Sequence, residues 1–138
     1  MDVLSHVLIG TSVINRPDLF FQVSLLSILP DLIMWVPSHI YMIGRKIKHK
    51  KNYKLFTSQR WWSCPDWVRE IYNVTHSLLF GVLFSVYLYF GFQSDCWPLI
   101  GAWWLHIGVD LFTHSGKYAV KPFYPFSSKV LPLGFNWF

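Results

Sequence analysis

Apolar residues fall into five stretches parted by short polar interruptions. Residues 2 to 14 are mostly apolar, with His6 and Gly10 one helical turn apart. Asn15-Arg16-Pro17-Asp18 reads as a turn, and Asp18 is placed to cap a helix beginning at Leu19. That helix is expected to stop at Leu29-Pro30-Asp31, because Pro30 lacks a backbone donor and disfavours α geometry in Leu29. Residues 32 to 44 are again apolar and aromatic, broken by Pro37. From Val74 to Phe92 only Thr75, His76, Ser77 and Ser85 are frankly polar. The run 78 to 92 falls short of the ~20 residues a spanning helix needs, and beginning it at 71 makes it long enough, with His76 near one end. Residues 97 to 113 form the next apolar helix, and Asp66 is placed to cap a helix from Trp67. After Gly116 the prolines and aromatics forbid a long helix, so 117–138 is expected to run extended over a site or along a membrane surface.

The pattern predicts an all-α fold: one small polytopic membrane domain over residues 1–138, with about 4–5 helices. Composition agrees. Hydrophobic residues make up 53% and charged residues 14% of the chain, against about 25% charged in ordinary soluble domains. Mean hydropathy is +0.33. Aromatics reach 20%, with eight Trp, and Trp and Tyr favour the membrane–water boundary. Trp61-Trp62 and Trp67 read as such an anchor within a basic and aromatic loop, 45–66.

Net charge is +5, unevenly spread. Arg45, Lys46, Lys48, Lys50, Lys51 and Lys54 are half of the twelve basic residues, with no acid among them. Beside long apolar segments such a run reads as a cytoplasmic loop facing anionic lipid, and as a surface for a cytoplasmic protein partner through 45–54. A nucleic-acid patch is the weaker alternative. The N-terminus lacks the basic region of a secretory signal and is expected to stay as the first helix. Cys64 and Cys96 form no CxxC, which excludes a disulfide framework and a zinc ribbon.

The chemistry concentrates in residues 103–116. His106, Asp110 and His114 stand four apart, so a helix stacks them in one column. A carboxylate in so apolar a segment is costly unless it is paired or binds a cation. His6, Asp31 and His76 are the other ionisable groups in or at the ends of apolar segments, where such groups are functional candidates by default. A mixed His/Asp set suits zinc, with manganese or iron as alternatives. No Gly-x-Ser-x-Gly, Gly-rich phosphate loop or His-Glu-x-x-His competes. Aspartates argue against a haem bundle. His39 and His49 read as surface residues.

The ordered set of motifs resembles the membrane-bound metal-dependent hydrolases, also called the LexA-binding, inner membrane-associated hydrolase family. The matching pieces are Ser5-His6 to Gly10, Leu29-Pro30-Asp31, Thr75-His76-Ser77-Leu78, and Leu105-His106 through Asp110 to Thr113 and Gly116. Pro122 to Ser127, ending Tyr-Pro-Phe-Ser, follows in the same order. The resemblance implies a multi-pass protein of the inner membrane with a metal site of His6, Asp31, His76, His106 and Asp110, and His114 extends the helix column as an extra ligand. It also implies hydrolysis of an ester or phosphoester in a lipid or lipid-linked substrate, with Asp31 and His76 as proton carriers. A more distant similarity to zinc-dependent phospholipase C suggests the phosphoester. This chain departs from the family at Ile71-Tyr72-Asn73, where a His and an Arg are usual, and at Ile33, where a second acid is usual. The departures leave a second reading open: a non-enzymatic membrane protein whose cluster is structural.

Overall fold

The computed structural model describes residues 3–49, 65–92, 96–116, 119–131 and 133–134. Among them are five α-helices and no strand: α1 (Val3–Ile14), α2 (Phe20–His49), α3 (Asp66–Thr75), α4 (Leu78–Phe92) and α5 (Cys96–Thr113). The basic stretch from Lys50 and the Trp61-Trp62 anchor lie outside the described residues.

The chain reverses after α1 through Asn15, whose φ is 45°, and a single 3-10 turn, Pro17–Leu19. Asp18 does not cap a helix as the sequence suggested. It takes two hydrogen bonds from the Arg16 guanidinium, at 2.8 and 2.6 Å. Asp66 likewise opens α3 as its first residue, with Pro65 in the cap position, and pairs with Arg69.

The largest departure from the sequence reading is α2. It runs unbroken through Pro30 and Pro37, and Arg45 to His49 are its last residues rather than part of a loop. A proline removes one backbone donor, but the helix survives where neighbours re-satisfy the freed groups and packing holds the axis. α2 is that case, because it packs against α1, α3 and α5 together. The opposite correction applies to the stretch 71–92. It is not one helix: α3 and α4 meet at a 60° bend at His76-Ser77. Ser77 donates its hydroxyl to the Val74 carbonyl and accepts the Phe80 N–H at 3.2 Å, so it caps α4. Leu78 N–H finds the Pro122 carbonyl at 2.8 Å. The C-terminal segment thus fills the backbone valence that the bend exposes. The same segment buries Ala119 and Val120 and brings Gly134 onto the His114 carbonyl, where a Cβ would stand 2.0 Å from the oxygen.

α5 is apolar on most of its circumference and buries one stripe: Cys96, Leu99, Ala102, Trp103, His106, Ile107 and Asp110. Its first half meets Val23, Leu26, Leu88 and the rings of Phe80 and Phe84 in an apolar layer. Its second half carries the acids and imidazoles. The far side of α4 stays open, with Val82, Leu83, Val86, Tyr87 and Phe90 all exposed. Among the described residues one helix, Pro17–Arg45, is long and apolar enough to cross a membrane, and α3 with α4 passes the same test only as a bent pair.

Candidate metal centre

Four elements deliver the polar groups. α1 brings His6, the middle of α2 brings Asp31, the α3–α4 bend brings His76, and α5 brings His106 and Asp110. α1 can approach α2 closely only because residue 10 has no side chain: a Cβ there would lie 1.9 Å from Ser27 Oγ. That crossing places His6 against Asp110, while on α2 the Ser27 carbonyl accepts the His106 Nδ1 proton at 2.7 Å. The proline reading missed this continuity: Ser27 and Asp31 lie one turn apart on one helix.

The two inner imidazoles are oriented in the same way. His106 Nδ1 faces the Ser27 carbonyl, and His76 Nδ1 faces the Tyr72 carbonyl at 3.0 Å and Thr75 Oγ1 at 3.1 Å. A carbonyl oxygen only accepts, so both rings carry a proton on Nδ1 and turn Nε2 inward. Those two Nε2 atoms face each other at 3.1 Å. Two lone pairs at that separation repel unless a cation or a proton sits between them. Anchoring the outer nitrogen on backbone while the inner one faces a shared centre is the usual arrangement of metal-bound histidine.

The carboxylates complete the centre. Asp110 Oδ2 lies 3.4 Å from His106 Nε2 and 3.5 Å from His76 Nε2. Asp31 Oδ1 lies 3.5 Å from His76 Nε2 and 3.8 Å from His106 Nε2. Zinc with ligand bonds of about 2.0–2.1 Å spaces tetrahedral ligand atoms about 3.3 Å apart. The triangle of His76 Nε2, His106 Nε2 and Asp110 Oδ2 matches that spacing on every edge. A looser grouping of donors within 4.8 Å contains His6, Asp31, His106 and Asp110. His6 joins it through the other oxygen of Asp110, Oδ1, at 3.0 Å, and its ring stacks on His106 with centroids 3.9 Å apart. The tighter edges favour His76 over His6 as direct ligand. His6 is then the group that holds the far side of the Asp110 carboxylate.

All six residues singled out from the sequence therefore sit in one neighbourhood. His114 lies just past α5 and still continues the column, with its N–H on the Asp110 carbonyl at 2.9 Å and its Nδ1 3.4 Å from Asp110 Oδ2. Burial pulls its pKa down to about 4. His6, His76, His106 and Asp110 are sealed from solvent, whereas the side chains of Asp31 and His114 are each 16% exposed. The side of the cluster nearest solvent is therefore that of Asp31 and His114. His39 is apart from the cluster, as the sequence reading had it. Its ring lies on Trp35 and its Nδ1 faces the Trp35 carbonyl.

One residue escaped the sequence reading. Tyr72 lies buried beside the cluster, its ring stacked on His76 with centroids 4.0 Å apart and its hydroxyl 3.1 Å from His114 Nδ1. The signal available was its place four residues before His76, one turn away on the same face.

Fold and site together define a small all-helical protein with a buried His/Asp group able to hold a metal ion. Comparison with protein-family models, with curated proteins and with solved structures returns no match.

Proposed function

We propose that this chain is a membrane-bound, metal-dependent hydrolase, with zinc the best-fitting ion, acting on an ester or phosphoester bond of a lipid or lipid-linked molecule. The observation that carries the metal is the pair of inward-facing Nε2 atoms 3.1 Å apart, each fixed by a backbone carbonyl behind it and flanked by two carboxylates. In this reading His76, His106 and Asp110 are the three direct ligands, and three protein ligands are the usual complement of a catalytic zinc. A bound divalent ion lowers the pKa of water and polarises a substrate oxygen. Asp31, at the exposed edge, is the group placed to take the proton from the attacking water and return it to the leaving group. His6 keeps the Asp110 carboxylate turned toward the centre.

The membrane part rests on α2 and α4. α2 carries the candidate span, Pro17–Arg45, and the basic run begins at the end of that span, as expected for a cytoplasmic end. α4 is apolar on all sides and half exposed, a surface that suits lipid better than water. A multi-pass topology in the inner membrane is part of the proposal, as is a cytoplasmic partner for 45–54.

Elemental analysis of detergent-purified protein tests the metal. About one equivalent of zinc in the wild type, lost in His106→Ala and in Asp110→Ala, is the expected outcome. A second reading has its own observation: His76 Nε2 lies 3.5 Å from both Asp31 and Asp110, which suits an imidazolium shared between two carboxylates without any ion. Metal-free wild-type protein would establish that reading and end the hydrolytic one. Carbonate washing of membranes tests the location, and release of the chain would count against a span.

A further inference from the structure

We propose that Tyr72 keeps one coordination position of the centre open by holding His114 out of it. The inference rests on the metal reading above and deepens it, because an open position separates a hydrolytic centre from a purely structural one.

The argument begins with His114. It follows His106 and Asp110 in the same helical column, and its Nδ1 is 3.4 Å from Asp110 Oδ2. That is the spacing of two ligand atoms on one zinc ion, about 3.3 Å. By position alone His114 would close the centre as a fourth protein ligand. Its Nδ1 is also 3.1 Å from the Tyr72 hydroxyl. In either tautomer that nitrogen is then engaged: as acceptor its lone pair holds the phenol proton, and as donor it has no lone pair for an ion.

Tyr72 is well fixed for this task. It is 8% exposed, and its ring packs on His76. Its own carbonyl accepts the His76 Nδ1 proton. One residue thus turns one imidazole toward the centre and engages the inward nitrogen of a second. His114 is 16% exposed, so the position it is kept from lies on the side of the cluster nearest solvent. Tyr72 is a positioning residue here, acting through His114.

The test uses cobalt(II) as the probe for the zinc-type site, in the full detergent-purified chain, and azide as the probe for the open position. Wild-type cobalt protein should show a visible spectrum that azide changes in a saturable way. Tyr72→Phe should still take up cobalt but lose the azide response, because His114 now fills the position. Adding His114→Ala to Tyr72→Phe should restore the response. An unaltered azide titration in Tyr72→Phe overturns the proposal. So does a loss that His114→Ala fails to restore, since the phenol would then act through His76. If Tyr72→Phe does not fold, His114→Ala alone decides: it should keep both cobalt and the azide response, and loss of cobalt would make His114 a ligand. A wild type that binds cobalt but ignores azide also overturns the proposal. Failure of the wild type to bind cobalt at all is the separate failure of the metal reading.

Discussion

α5 passes through two layers that are equally buried and chemically opposite. Toward Cys96 its inner stripe meets Val23, Leu26, Leu88, Phe80 and Phe84, with Trp103 fully enclosed. One turn further on, the same stripe carries His106 and then Asp110, enclosed just as completely. The first layer is held by area removed from water and by close packing, neither of which depends on direction. The second is held by a handful of contacts that must be aimed, since a buried carboxylate without partners is costly. Damage to the first layer should therefore appear in stability alone, and damage to the second in metal content as well.

The largest expected effect lies in the apolar layer. Trp103→Ala should lower the unfolding free energy by about 3–5 kcal/mol, as measured by denaturant titration in detergent, while the folded fraction keeps its full metal complement. Loss of metal from the remaining folded protein would show that the two layers are not separable.

Next comes the ion itself. Adding zinc to stripped protein at about a hundredfold above its dissociation constant should stabilise the fold by about 2.7 kcal/mol, read as a rise in the thermal midpoint. Asp110→Ala should remove this increment. The increment should also shrink as pH falls through the imidazole range, because the ligands must be deprotonated to bind. A zinc effect independent of pH and of Asp110 would point to binding elsewhere.

The contrast between the layers also explains what could be read from the chain beforehand. The apolar stretches and their aromatic content foretold helices, and α1 and α5 lie where the pattern placed them. The column His106–Asp110–His114 was legible because its spacing of four is a local rule. What misled was also local. Pro30 and Pro37 are strong breakers by themselves, and only the packing of α2 on three neighbours overrides them. The 71–92 stretch looks continuous until Ser77 and the distant Pro122 share the backbone valence of the bend. Tyr72 was invisible because aromatic residues are common in this chain, and only the fold shows which one touches two imidazoles.

Gly10→Ala couples the two layers through helix packing. The new methyl meets Ser27 Oγ at 1.9 Å, so α1 must shift or Ser27 must turn. Overpacking of this kind costs about 1–3 kcal/mol. Because α1 carries His6 onto Asp110, and Ser27 itself presents its carbonyl to His106, zinc affinity should fall together with stability. Unchanged affinity in a destabilised variant would show that the centre tolerates movement of α1.

The smallest effects give the sharpest comparison, because each layer owns a hydroxyl that can be deleted with little change of shape. In the apolar layer Ser85 Oγ accepts the Trp104 indole N–H at 2.9 Å and donates to the Gly81 carbonyl at 2.7 Å. Beside the His/Asp cluster Thr75 Oγ1 lies 3.1 Å from His76 Nδ1 and 3.2 Å from the Tyr72 carbonyl. Ser85→Ala and Thr75→Val should each cost about 0.5–1.5 kcal/mol, the ordinary worth of a hydrogen bond. Their metal affinities should part: Ser85→Ala unchanged, Thr75→Val weaker by about tenfold, because the hydroxyl helps hold the ring that presents Nε2. Competition with a zinc chelator reads the difference directly. Equal affinities would mean that the Tyr72 carbonyl alone orients His76, and Thr75 would then belong with Ser85 among the groups that only hold the fold.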